Sequence, residues 1–155
     1  MPGTLGIKIM RHIDLSFERY NDVKRMFHAE SDRGAAVLAG SYVENYLAAY
    51  LRTKMIADED VKRLFDDFGP LGSFSGRIEC AYAFGFINAK GRNDLNFIRK
   101  IRNHFAHHPD RASFAAPPVS DWVAKLSTQT ELTADDGTVL KVDDPRDRFL
   151  LTVST

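Results

Sequence analysis

The sequence predicts an all-α fold, a helical bundle of about five to seven helices, with one segment near the carboxy terminus that suits a small β-hairpin. Two observations carry this. From Asp14 to His107 apolar residues recur at helical spacing, and only short connections interrupt them. The chain has 155 residues, 44% hydrophobic and 27% charged, enough to bury a core as one domain. We read residues 1–155 as that single helical domain, with a core over 14–127 and an irregular extension over 128–155. No internal repeat is visible.

The first element runs from Asp14 to about Ala29. Leu15, Tyr20, Val23, Met26 and Phe27 fall mostly at helical spacing among charged residues, which describes an amphipathic outer helix. Ser31 to Leu51 is apolar or small around almost its whole circumference, so it reads as a central helix buried on several sides. Asp58 to Asp67 forms a short helix whose leading acids, Asp58, Glu59 and Asp60, suit its positive end. Phe68-Gly69-Pro70 stops it. Arg77 to Asn88 is again apolar nearly all round and reads as a second central helix, with Ser73 or Ser75 as its cap. A further helix spans about Asn93 to His107, with Leu95, Ile98, Ile101 and Phe105 on one stripe and Pro109 beyond its end. Val119 to Leu126 suits one more helix, packed down by Trp122. Thr130 to Val142 reads as a hairpin around Asp136-Gly137. Asp144-Pro145 offers a cap followed by proline at the first helical position, although Leu150 to Val153 would also suit a strand.

Charge and cysteine usage exclude several classes. With 21 basic and 21 acidic residues the formal charge is zero, so no global field draws the molecule to nucleic acid or membrane. Cys80 is the only cysteine, which excludes an intramolecular disulfide framework and a multi-cysteine zinc site and suits a reducing compartment. The opening Met1 to Met10 lacks a long uninterrupted apolar run, and no stretch reaches ~18 uncharged apolar residues. A cytoplasmic protein without membrane partners is expected.

The one chemically pointed run is Arg102-Asn103-His104-Phe105-Ala106-His107. On an ideal helix Asn103 and His107 share a face, and Arg102 lies about 100° round from Asn103. An arginine to hold a phosphoryl group and a histidine to move a proton would make sense for phosphate chemistry without a metal. Structurally, Arg102 would instead pair with a core carboxylate such as Glu44, and His107 would sit at the helix C-terminus, where a cation meets the dipole favourably. Glu44 is the only carboxylate within Ala35 to Leu51 and needs a partner, Arg77 or Arg102. His104, His107 and His108 have helical-neighbour spacing but no cysteine and no nearby carboxylate before Asp110, so neither a metal nor another cofactor is expected. Between Lys90 and Arg111, six cations (Lys90, Arg92, Arg99, Lys100, Arg102, Arg111) outnumber Asp94 and Asp110. They form either a polyanion-facing surface or a solvated helix face. The glycine-rich run Gly69 to Gly76 lacks the lysine of a phosphate-binding loop. Cys80, within an apolar helix, reads as a small core residue.

Several strings resemble the mannitol operon repressor family of bacterial regulators. They are Ser31-Asp32-Arg33-Gly34-Ala35-Ala36, Pro70 through Gly85, Ile101 through His107, and Pro145-Arg146-Asp147-Arg148-Phe149. The resemblance implies an all-helical repressor of sugar-alcohol operons that lacks an obvious DNA-reading motif. A regulator of this kind would act through a partner protein or a nucleic acid held by the basic run, and our leading expectation is a non-enzymatic homodimer working through a regulatory protein partner. The hairpin-like segment near Asp136-Gly137 departs from that pattern. Arg102-Asn103 followed by His107 is also similar to the Arg-polar-x-x-x-His signature of the HEPN superfamily, many of whose members are metal-independent endoribonucleases with sites paired across a dimer. That second resemblance implies Arg102 on the scissile phosphate of an RNA, Asn103 orienting it, and His107 as acid or base.

Overall fold

The computed structural model describes residues 17–133 and 135–154. The expected helix start at Asp14 and the opening Met1–Met10 lie outside them. The helices in order are α1 (Phe17–Ala29), α2 (Asp32–Thr53), α3 (Glu59–Lys62), α4 (Phe74–Ala83), α5 (Ala89–His107), α6 (Val119–Ala124) and α7 (Pro145–Val153). Two short strands, β1 (Glu131–Thr133) and β2 (Val139–Lys141), pair antiparallel, with Leu132 opposite Leu140 and Gly137 at positive φ in the connection. The remainder of the fold is all-α.

Four of the helix starts follow one chemical rule. Ser31, Ser73 and Asn88 each accept a hydrogen bond from the backbone N–H of a glycine three residues on: Gly34, Gly76 and Gly91. Asp144 does the same for Asp147, with Pro145 in the first turn. Each cap satisfies an N–H that the helix cannot and contributes about 1 kcal/mol.

Two expected boundaries move for local reasons. The second central helix starts earlier, at Phe74, and ends at Ala83 rather than Asn88. Gly85 adopts φ +70°, its N–H meets Tyr82 O at 2.9 Å, and Phe86 N–H meets Ala81 O at 2.9 Å, a glycine-terminated helix end. Asn88 is thereby free to cap α5, which begins four residues before the expected Asn93. The segment Asp58–Asp67 divides into α3 and a 3₁₀ turn over Arg63–Phe65, which drives Phe65 into the core.

The core is built on α2 and α5, which pack against each other, with α4 closing one side and α6 and α7 the other. Ala35, Ala36, Ala39, Leu51, Ile78, Ile101, Phe105, Val119 and Phe149 are fully buried. Small residues along α2 allow close approach. At Gly40 a Cβ would lie 2.6 Å from Cβ and Cγ of Arg102, so only glycine lets the arginine stem cross there. The core continues beyond residue 127: Phe149 and Leu150 of α7 are buried, and Phe149 packs on Phe114 with ring centroids 5.3 Å apart.

Candidate functional site

The arginine of the 101–107 run turns inward. Glu44 leaves α2 toward α4 and α5, and two guanidinium groups meet it: Arg102 at 2.8 Å and Arg77 at 3.5 Å. The three side chains are 18%, 21% and 11% exposed respectively, so the pairing is largely out of water. Arg77 also donates through Nε to Leu71 O at 2.8 Å, holding the loop that leads into α4. Arg102 lies 5.7 Å from the centroid of the Phe74 ring, which shields it from solvent. Its Nε has no hydrogen-bond partner among the described residues. One carboxylate is thus shared by two cations between three helices, and removing it would leave both without a counter-charge.

The rest of the run faces elsewhere. Ile101 and Phe105 are core, Asn103 is half-buried, and His107 is exposed in the last turn of α5. His104 packs edge-on against Trp122, with centroids 5.7 Å apart, and its ring lies 4.6 Å from that of His108. Burial, aided by the neighbouring His108, holds the His104 imidazole below its ordinary pKa. Among the described residues no group of three or more His, Cys, Asp or Glu is placed to hold a metal ion. Cys80 is half-buried, and burial pushes its thiol pKa up, away from a reactive thiolate.

Three of the six cations between Lys90 and Arg111 are paired with carboxylates. Arg92 makes a two-pronged bond with Glu79 of α4, at 2.6 and 3.0 Å, which holds that carboxyl below its ordinary pKa. Arg102 is taken by Glu44, and Arg111 lies 3.4 Å from Asp110.

Sequence reasoning paired Glu44 with one arginine or the other; the fold supplies both. It missed Gly40, whose signal was available: a glycine inside a helix costs about 1 kcal/mol relative to alanine and needs a packing reason. It read Asp144-Pro145 as a helix start but gave Arg146, Arg148 and Phe149 no physical role. Arg146 reaches back to the α1–α2 junction, pairing with Asp32 at 3.1 Å and donating to the carbonyls of Phe27, His28 and Glu30. Arg148 donates to Leu126 O at 2.6 Å and Ala124 O at 3.2 Å beyond α6. Asp147 lies 3.9 Å from His28.

Fold and site together define a mostly helical bundle whose central arginines share one carboxylate within it. Among the described residues no helix is long and apolar enough to cross a membrane. The chain belongs to the mannitol repressor family: the family model matches residues 36–155, which include Glu44, Arg77, Arg102 and the whole of α7. It is a regulator of the mannitol operon repressor type. Neither the curated proteins nor the solved structures compared with the chain gave a match.

Proposed function

We propose that this protein represses transcription through a regulatory protein partner rather than by reading DNA itself with a recognition helix. The observation that supports this most is that the basic run is broken up: Arg92, Arg102 and Arg111 each face a carboxylate, which leaves Lys90, Arg99 and Lys100 of its six cations. Arg92 and Arg102 are spent on Glu79 and Glu44, and a surface that holds DNA needs several uncompensated cations along one face. The long helices α2 and α5 are also tied into the core, whereas a recognition helix must stand free to enter a groove.

The test pairs a sugar-alcohol operon reporter, in cells with and without the gene, with anisotropy of purified protein on the same promoter at physiological salt. Expected are repression in cells and no sequence-specific binding by the protein alone. Tight, sequence-selective binding by the purified chain would overturn the partner mechanism, and an unchanged reporter would overturn repression.

A further inference from the structure

The turn between α4 and α5 carries aromatic side chains that the core does not take. Phe84 is 70% exposed and Tyr82 is 40% exposed, two large rings within three residues at a helix end. The backbone beneath them is fixed, since Gly85 turns at φ +70° and Phe86 N–H meets Ala81 O at 2.9 Å. The Phe84 ring is held as well. It stacks on Phe86 with centroids 5.8 Å apart, and Phe86 meets Tyr50 of α2 edge-on at 5.7 Å. Phe86 and Tyr50 are the half-buried support, already packed, and Phe84 is the tip that stands in solvent. An exposed ring held in one place loses little freedom when a partner covers it, which is what an interface anchor needs.

The charge around the tip has one sign. No acidic residue occurs between Glu79 and Asp94. Glu79 is bound by Arg92, whose guanidinium lies 4.7 Å from the centroid of the Tyr82 ring, and Asp94 accepts from Ser127 N–H at 2.9 Å. Lys54 lies 5.9 Å from the centroid of Phe86, and Lys90 is exposed in the first turn of α5. Neither enters an ion pair among the described residues.

We propose that the Phe84 tip is the docking point for the regulatory protein partner, which meets it with an apolar pocket rimmed by carboxylates. This rests on the partner reading above. Two other occupants fit worse. A second copy docked here about a two-fold axis would bring the same lysines together. A nucleic-acid strand would find one free ring and two lysines, where tight binding takes successive stacking rings and several phosphate contacts.

p-Benzoylphenylalanine in place of Phe84, in cells that carry a sugar-alcohol operon reporter, tests the occupant. The same analogue in place of Phe68, a fully exposed site in the loop before α4, is the control. Light is expected to join the chain at position 84, and not at position 68, to one protein whose crosslinked segment is rich in Asp and Glu. That protein, purified, should bind the full chain, and Phe84→Ala should weaken binding about thirtyfold or more. Lys54→Glu with Lys90→Glu should weaken it roughly tenfold at low salt and less at high salt. Circular dichroism and thermal unfolding of the variants should match wild type, because the side chains changed are exposed. No crosslink, a crosslink to nucleic acid or to a second copy, or an affinity indifferent to Phe84→Ala would overturn the proposal. The two readings fail separately. A reporter unchanged by deletion of the gene refutes repression and leaves the binding measurement standing, whereas full repression by Phe84→Ala refutes the docking point and leaves repression standing.

Discussion

Two strings of similar length, Ile101–His107 in α5 and Pro145–Phe149 opening α7, carry family resemblance, and the fold treats them differently. In the second, every residue has a place: Pro145 sits in the first turn, Arg146 binds the α1–α2 junction, Asp147 is capped by Asp144 and approaches His28, Arg148 holds the end of α6, and Phe149 enters the core. The first string is divided. Ile101, Arg102 and Phe105 serve packing and charge balance, while His107 is exposed and bears no part of the core. A residue the fold has consumed is poorly placed for chemistry, and one the fold leaves over is where a surface function must be sought.

The comparison breaks first at Phe149. Phe149→Ala should cost about 3–5 kcal/mol in denaturant unfolding, because it empties a fully buried ring site against Phe114. A loss under about 1 kcal/mol would show that α7 is an appendage rather than core.

Next in size is Glu44→Gln, expected to cost about 2–4 kcal/mol by leaving two largely buried guanidinium groups without their counter-charge. Stability close to wild type would mean that water already reaches Arg102, and the inward half of the first string would become available for phosphate binding.

His107→Ala sharpens the contrast from the other side. It should change stability by less than about 0.5 kcal/mol, as substitutions of exposed residues usually do. Wild type, Arg102→Ala and His107→Ala incubated with labelled RNA and chelator should all leave the RNA intact. Cleavage by the wild type that both variants abolish would establish a HEPN-type ribonuclease, with Arg102 leaving Glu44 to reach its substrate.

The smallest effect concerns His104. Its pKa is lowered by burial against Trp122, so the unfolded state binds the proton more readily. Stability from this group is complete above the ordinary value of 6.5 and declines as pH falls through 6.5 toward the folded pKa. His104→Gln should flatten that limb of the pH–stability curve. In NMR titrations His104 should lie below the ordinary value of 6.5, and a value at or above it would remove the effect.

The helices were legible because hydrophobic periodicity and capping chemistry are local. Asp144-Pro145 announced α7, and the serines before α2 and α4 stood where caps are needed. Boundaries at Gly85 and Asn88 were less legible, because a helix end depends on which backbone groups the fold leaves to be satisfied. The candidate site was half legible. That Glu44 required a cation followed from sequence alone, since an unpaired charge in an apolar helix is costly.

What the sequence by itself determined is therefore the helical class, most of its elements and the need for a counter-charge at Glu44, all consequences of interactions within a few residues. Only the tertiary structure decided that Arg77 and Arg102 share that carboxylate, that Gly40 makes room for the arginine stem, and that Arg146 closes the bundle onto α1 and α2. Those contacts join residues far apart in the chain, and a guanidinium chooses among carboxylates by the distance and burial that packing creates.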